Sequence, residues 1–160
     1  MKSIQVNIKK IHKDAKRPTR GSQNALCYDL YCVKDDDFDE VYDEYNKRHL
    51  QYLTLLPGKS HIFHTGIIME FPKNWSCLLW DRSGMGAKRN IHRLAGVIDN
   101  DYRGEILVSL INLSQEPQTI YVGDKIIQAH FVENINVDFV EVNTVNNTER
   151  KANGFGSTGQ

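Results

Sequence analysis

The sequence predicts an all-β fold, and three observations lead to that prediction. Ile4, Val6 and Ile8 alternate with polar residues, which is the periodicity of a half-buried strand. Short apolar runs recur further along, at residues 26–33, 61–71, 106–113 and 126–132. Turn-forming residues separate these runs, as at Pro57-Gly58 and Val122-Gly123-Asp124. Short strands at this spacing are typical of a β-sandwich or barrel.

The length and composition indicate one globular domain. A chain of 160 residues is long enough for a single domain and too short for two ordinary ones. Its 20 basic residues balance 20 acidic ones, so the bulk charge predicts neither a nucleic-acid nor a membrane partner. We expect residues 1–142 to form the domain and residues 143–160, which are rich in Asn, Thr, Gly and Ser, to form a mobile C-terminal arm.

Cysteine usage and the chain start both favour an intracellular protein. Cys27, Cys32 and Cys77 are odd in number and form no CxxC pair, which indicates neither a disulfide framework nor a thiolate zinc site. The first residues contain no apolar run of the length that a signal peptide needs, and no segment approaches the ~20 apolar residues of a membrane span.

The apolar segment at residues 104–113 differs from the other runs because both faces of the expected strand are largely apolar. A half-exposed strand would show polar residues on one face. We therefore expect this strand to be buried inside the core or at a subunit interface.

An insertion at about residues 35–48 interrupts the strand pattern. It opens with acidic residues and closes with basic ones, and Phe38, Val41 and Tyr45 have helical spacing. These features predict a short helix whose charges match its dipole. The acidic residues could bind a cation or a protein partner, but a charge run is usually a solvated face.

The segment GVIDNDYRGE at residues 96–105 places Asp99 and Asp101 two residues apart between glycines. In a strand, the two carboxylates would share one face. A carboxylate beside a nucleotide can act as a general base for water, whereas a surface DxD is more often a turn or a solvated pair.

Two further segments suit phosphate oxygens. Arg82-Ser83-Gly84 combines a guanidinium, a hydroxyl and an open backbone amide. Residues 154–159 read GFGSTG, which matches the GxGxxG pattern, but a Rossmann site also needs a following helix, and the sequence continues for a single residue. A flexible phosphate clamp, with Arg150 just upstream and Phe155 able to stack on a base, is the remaining functional interpretation; a disordered tail is the alternative.

Five segments together resemble the motifs of the homotrimeric dUTP pyrophosphatase family, in the order of that family. They are Tyr28-Asp29-Leu30, Arg82-Ser83-Gly84-Met85, residues 96–105, Gly123-Asp124-Lys125-Ile126-Ile127-Gln128, and residues 148–159. The third and fifth are the specific ones, since both are hard to obtain by chance in one short chain. The resemblance implies a distorted β jelly roll that forms a homotrimer with shared active sites.

The resemblance also implies the reaction. The family hydrolyses dUTP to dUMP and pyrophosphate, which keeps uracil out of DNA and supplies dUMP for thymidylate synthesis. By that resemblance Asp99 is the general base for water that attacks the α-phosphorus, and Mg²⁺ travels with the triphosphate and contacts Asp29 through water. Tyr102 matches the residue that packs against deoxyribose and rejects a 2′-hydroxyl.

The remaining binding residues are carried over in three groups. Those expected at the phosphates are Arg82, Ser83, Gly84 and Gln128. Those expected around the uracil are Gly96, Val97 and Leu107, and Ile98 is expected to bind the substrate in the same segment. Those expected to arrive when the arm closes are Arg150, Phe155, Gly156, Ser157 and Thr158.

The sequence departs from the family pattern in places, and rival functions stay open. Asp81 stands where many relatives have proline, where it could weaken anion binding or cap Arg82. The family offers no role for the 35–48 insertion, which could contact an unknown partner. The rivals are a dCTP deaminase of the same fold, which needs a glutamate base, and a regulatory relative that binds dUTP as a signal.

Overall fold

The computed structural model describes residues 3–152, and regular structure in that range is almost entirely β. The strands are β1 (Asn7–Lys10), β2 (Thr19–Arg20), β3 (Tyr28–Tyr31), β4 (Asp39–Asp43), β5 (Arg48–Leu55), β6 (Ser60–Glu70), β7 (Trp75–Trp80), β8 (Ile91–Arg93), β9 (Val97–Ile98), β10 (Glu105–Asn112), β11 (Gln118–Tyr121) and β12 (Lys125–Glu133). A π-helical turn at Gly84–Lys88 follows β7. The all-β prediction is confirmed.

The strands form three antiparallel sheets. One has the order β1-β6-β10-β8, a second has the order β2-β3-β12-β7-β9, and a third has the order β11-β5-β4. Their inner faces enclose a core in which the side chains of Phe63, Leu110, Ile120 and Ile126 are at most 1% exposed. Burial of apolar area on this scale is the main favourable contribution to folding.

Strand β10 is buried on one face only within the single protomer. Ile106, Val108 and Leu110 alternate into the core, whereas Leu107 on the other face is 39% exposed. The expected burial of both faces is therefore not achieved inside one chain. Burial of the second face in a subunit interface stays a prediction.

The predicted helix at residues 35–48 is wrong, because this insertion forms a β-hairpin. Strands β4 and β5 pair antiparallel from Asp39↔Tyr52 to Asp43↔Arg48, and β11 extends the sheet on the other side of β5. The Asp43 carboxylate accepts the backbone N–H groups of Tyr45 and Asn46, which closes the turn between the strands. In this insertion, cross-strand pairing therefore outweighs the local preference that the helical spacing indicated.

Residues 134–152 follow β12 without forming a strand or helix. Several apolar side chains in this segment are uncovered, including Ile135 at 86% and Phe139 at 95% exposure. In residues 3–152 no helix has the length and apolar character needed to cross a bilayer.

Candidate functional site

Strand pairing places Asp29 at the centre of a small charge cluster. In the register of β3 and β12, Asp29 lies opposite Gln128. The Asp29 Oδ1 atom accepts a 2.8 Å hydrogen bond from Arg82 Nε, and Lys125 Nζ lies 2.8 Å from its Oδ2 atom. Asp29 is 7% exposed, and the two cations compensate the cost of burying its carboxylate.

The cations of this cluster border an open cavity of about 510 Å³, whose lining includes Arg82, Gly84, Arg89 and Lys125. Asp29 raises the pKa of Lys125 above its usual value, first by hydrogen bonding and then by its charge. Lys125 therefore remains a cation at neutral pH. Arg82 Nη1 donates to the Lys125 carbonyl, and Nη2 makes no hydrogen bond to residues 3–152, so part of the fork is available to a ligand.

The Arg82-Ser83-Gly84 segment lies between β7 and the helical turn and is fixed from both sides. Gln128 Nε2 donates a 2.8 Å bond to the carbonyl of Asp81, just before the segment. The backbone N–H groups of Met85 and Gly86 both donate to the Arg82 carbonyl at 2.9 Å. A Cβ atom at Gly84 would meet nothing within 4 Å, so its backbone is open to a ligand.

Asp81 does not cap Arg82, which corrects that expectation. Its Oδ1 atom accepts the Arg93 backbone N–H at 3.0 Å, and its Oδ2 atom makes a close contact with His92 Nδ1. The carboxylate therefore fastens the end of β7 to β8.

Asp99 lies on a second structural unit, the turn that follows β9. Strand β9 pairs with β7, and Tyr102 N–H donates to the Asp99 carbonyl at 3.2 Å to close the turn. Asp99 and Asp101 thus occupy a turn and not a strand, so the shared-face geometry does not apply. Asp99 is exposed, and its carboxylate makes no hydrogen bond or ion pair with residues 3–152.

The residues flanking this turn form an open surface. Val97, Tyr102 and Leu107 are 68%, 40% and 39% exposed, while Ile98 is half-buried. The Tyr102 hydroxyl donates to the Glu105 carbonyl at 2.9 Å, which fixes the ring. Gly96 is required sterically, because a Cβ atom would lie 2.8 Å from the Leu79 carbonyl oxygen.

The single protomer therefore brings together one part of the predicted site and keeps another apart. Asp29, Arg82 and Gln128 are neighbours, whereas no side-chain hydrogen bond or ion pair in residues 3–152 joins them to the Asp99 turn. Arg150 lies in the exposed C-terminal segment, beside a turn in which Lys151 N–H donates to the Thr148 carbonyl. The predictions for Phe155, Gly156, Ser157 and Thr158 fall outside the described residues.

Two residues of the site were missed in the sequence. Lys125 was part of a motif but received no role, because its contact with Asp29 depends on the pairing of β3 with β12, in which Lys125 lies opposite Tyr31 and Gln128 lies opposite Asp29. Asn100 was passed over between two aspartates, although its amide donates to the carbonyls of Pro72 and Trp75 at 2.8 and 2.7 Å. An Asn within a turn was the available signal.

The histidines of β6 contact separate carboxylates. His64 Nδ1 lies 2.8 Å from Glu105 Oε2, while His61 Nε2 lies 3.0 Å from Asp35 Oδ2 and His61 Nδ1 lies 3.8 Å from Asp37 Oδ2. His61, Asp35 and Asp37 are thus close enough to form a three-residue group of potential metal ligands.

Comparison with known proteins relates these features to one family. The dUTPase family model matches residues 13–159. The chain is 35% identical to the deoxyuridine 5'-triphosphate nucleotidohydrolase of Hydrogenobaculum sp., with 95% of this chain and 96% of that protein covered. It is 33% identical to the mitochondrial human enzyme of the same name, with 98% of this chain and 56% of that protein covered.

Solved structures show the same fold at lower identity. The dUTPase of Staphylococcus bacteriophage 80alpha with dUpNHpp superposes with a TM-score of 0.76 at 20% identity, covering 98% of this chain and 99% of that chain. A mutant dUTPase from S. aureus phage phi11, described as showing coordination of a structural Mg(II) ion, has a TM-score of 0.68 at 17% identity, covering 88% and 97% of the two chains. Given the family match over residues 13–159 and relatives above 30% identity along nearly their whole length, the chain belongs to the dUTPase family.

Proposed function

We propose that this protein hydrolyses dUTP to dUMP and pyrophosphate, with Asp99 as the general base that deprotonates the attacking water. The observation that carries the proposal is the Asp99 carboxylate, which is exposed, unpaired within residues 3–152 and held on an anchored turn. A base must be able to accept a proton from water, and a carboxylate already occupied by an ion pair could not do so readily.

The triphosphate is bound by the cluster around Asp29. Arg82 and Lys125 supply positive charge, the open backbone at Ser83 and Gly84 supplies amides, and Gln128 holds the segment through the Asp81 carbonyl. These groups suit phosphate oxygens. The attack at the α-phosphorus makes pyrophosphate the leaving group.

The residues at Asp29 fit a magnesium ion bound through water. Its carboxylate oxygens are the kind of ligand that Mg²⁺ prefers, but both already contact a cation, so direct coordination would break an ion pair. Lys125, with a side chain 35% exposed, has room to leave Oδ2 for a phosphate oxygen. Bound Mg²⁺ would neutralise charge on the triphosphate.

The surface next to Asp99 is assigned to the nucleoside. Uracil would be read by backbone groups near Gly96, Val97, Ile98 and Leu107, and the fixed ring of Tyr102 would pack against deoxyribose. A ring held by its own hydrogen bond cannot move to admit a 2′-hydroxyl without breaking that bond. The steric selectivity against UTP depends on this rigidity.

The complete site is assembled from several chains of a homotrimer. The separation of the Asp99 turn from the Asp29 cluster in one protomer supports this, as do the uncovered apolar side chains of Leu107, Ile135 and Phe139. Residues 143–160 form the arm that closes over the nucleotide and excludes water, with Arg150 and Phe155 contacting it. We place the reaction inside the cell, where it keeps uracil out of DNA and supplies dUMP.

The experiment that tests this proposal compares nucleotides and oxygen isotopes. Purified protein with Mg²⁺ should release pyrophosphate from dUTP far faster than from dTTP, dCTP or UTP. In ¹⁸O-labelled water, the label should appear in dUMP and not in pyrophosphate, because the attack is on the α-phosphorus. Equal turnover of the four nucleotides would remove the specificity, and label in pyrophosphate would remove the proposed site of attack.

A pair of variants tests the role of Asp99. Asp99→Asn should abolish turnover while retaining affinity for dUpNHpp, because the base acts on water and does not anchor the nucleotide. Asp39→Asn, at an exposed position of the β4 strand, is the matched control and should behave as wild type. Release of ammonia from dCTP would instead favour the deaminase, and binding of dUTP without turnover by the wild type would favour a regulatory protein.

A further inference from the structure

Backbone contacts alone hold the Asp99 turn weakly. Strand β9 contains Val97 and Ile98 only, and it pairs with β7 at Leu78 and Cys77. Beyond Ile98 the chain leaves the sheet, and a single 3.2 Å bond from Tyr102 N–H to the Asp99 carbonyl closes the turn. Since the Asp99 carboxylate has no partner in residues 3–152, its position depends on what holds the backbone of the turn.

Arg103 Nη1 donates to the carbonyls of Asn100 and Tyr102 at 2.7 and 3.0 Å, which stiffens the turn internally. Asn100 supplies the hydrogen bonds that tie the turn to the connection between β6 and β7. Its Nδ2 atom donates 2.8 and 2.7 Å hydrogen bonds to the carbonyl oxygens of Pro72 and Trp75, in the connection between β6 and β7. That connection is itself closed by Trp75 N–H donating to the Pro72 carbonyl at 3.1 Å. Two bonds from one amide group therefore tie the Asp99 turn to a separate, well-formed turn.

Only an asparagine satisfies this geometry among the common turn residues. Both acceptors are carbonyl oxygens, so the side chain must present two N–H donors from one atom, which Asn does and Asp or Ser cannot. Asp would also place a carboxylate oxygen against two carbonyl oxygens. Gln carries the same donors on a side chain that is one methylene longer.

We propose that Asn100 is a positioning residue for catalysis, whose amide fixes the turn that carries Asp99. This inference rests on the proposed general-base role of Asp99. Asn100 contacts no reacting atom; it acts through the backbone of the adjacent residue. Misplacement of a catalytic group by about 1 Å can lower a rate about 10²-fold, so loss of this anchor should affect turnover more than binding.

The test uses Asn100→Asp and Asn100→Ala, of which the second removes both donors without adding charge. Asn100→Ala should lower kcat for dUTP about 10- to 100-fold, with KM and the Kd for dUpNHpp changed by less than about threefold. Asn100→Asp should lower kcat at least as much, and its added charge should also weaken nucleotide binding. Asn134→Asp is the matched control, because Asn134 Nδ2 donates to Ser76 Oγ at 2.9 Å and its backbone N–H donates to the Asn74 carbonyl, without contact to the Asp99 turn. This control should retain wild-type kcat.

Hydrogen exchange at the Tyr102 amide distinguishes failure of the Asn100 inference from failure of the proposed function, because the measurement needs no enzymatic activity. Loss of the Asn100 anchor should speed exchange at this amide about tenfold or more, while amides of the β10 strand keep their protection. Unchanged kcat in both Asn100 variants would overturn the inference. So would a parallel loss of kcat, nucleotide affinity and thermal stability in Asn100→Ala, which indicates a general structural role. Wild-type protein that fails to hydrolyse dUTP would refute the proposed function. Exchange at the Tyr102 amide would then show by itself whether Asn100 fixes the turn.

Discussion

The side chain of Asn112 is fully buried and uses all its hydrogen-bonding groups, so its removal should have a large effect on stability. Its Nδ2 atom donates to the carbonyls of Leu55 and Glu116, both at 2.8 Å. Its Oδ1 atom accepts from the backbone N–H and the hydroxyl of Ser114 at 2.8 and 2.7 Å. The residue is 0% exposed, so water cannot replace these partners.

Asn112→Ala should therefore lower the free energy of unfolding by about 3–5 kcal/mol. The value follows from roughly 1 kcal/mol for each of the two hydrogen bonds that Nδ2 donates, plus about 1–3 kcal/mol for leaving the Leu55 carbonyl without its donor in the core. The bonds from Ser114 add little, because this residue is half-buried and its hydroxyl can still donate to the Glu116 carbonyl at 2.8 Å. Domains are stable by about 5–15 kcal/mol, so the change removes a large part of the total. The melting temperature should fall by about 10 °C.

Urea denaturation at a fixed protomer concentration measures this effect, since subunit association would otherwise add to the apparent stability. Asn24→Ala, at an exposed position before β3, is the control and should change stability by less than about 0.5 kcal/mol. A destabilisation by Asn112→Ala of under 1 kcal/mol would refute the reasoning. Asn112→Leu keeps a similar volume without any polar group, and a similar destabilisation in this variant should show that the lost hydrogen bonds, and not the lost volume, cause the effect.

Three other predictions concern the arm, the metal and the thiols. Ending the chain at Asn147 should preserve folding, because residues 148–152 are exposed, yet depress dUTP turnover severely. Circular dichroism and the pyrophosphate assay check this. Asp29→Asn should lower the apparent affinity for Mg²⁺ by about 10-fold or more. Titration of the reaction rate with magnesium measures this affinity. Burial raises the pKa of the Cys77 thiol from 9.0 to about 12. The unfolded thiol therefore ionises first, and stability should be lost as pH rises from about 9 towards about 12, an alkaline slope that Cys77→Ala should reduce in urea denaturation.

Strands could be predicted from the sequence where the alternating apolar residues are also the ones that the folded core buries. The runs at residues 61–71, 106–113 and 126–132 overlap β6, β10 and β12, because their alternating side chains point into one core. The insertion at residues 35–48 could not be predicted in this way. Its Phe38 side chain is buried against Phe63, at 6.3 Å between ring centroids. A local periodicity pattern contains no information about such a contact between distant residues.

The candidate site was predicted by residue type, but its internal contacts were not. The sequence indicated Asp29 and Arg82 as separate motif residues, and the structure joins them at 2.8 Å. Register across β3 and β12 sets that contact, and a bulge alters the register next to Lys125. Distances between residues 53 positions apart depend on such pairings, which no local pattern encodes.

The charge balance at Asp29 affects how the nucleotide would bind under the proposed function. One carboxylate faces two cations, so the cluster has a local positive surplus although the chain as a whole has a formal net charge of +0. A field of this kind has short range, about 8 Å at physiological ionic strength, and cannot steer a ligand from far away. Added sodium chloride should consequently slow capture of the trianionic or tetra-anionic nucleotide while leaving the chemical step after binding almost unchanged.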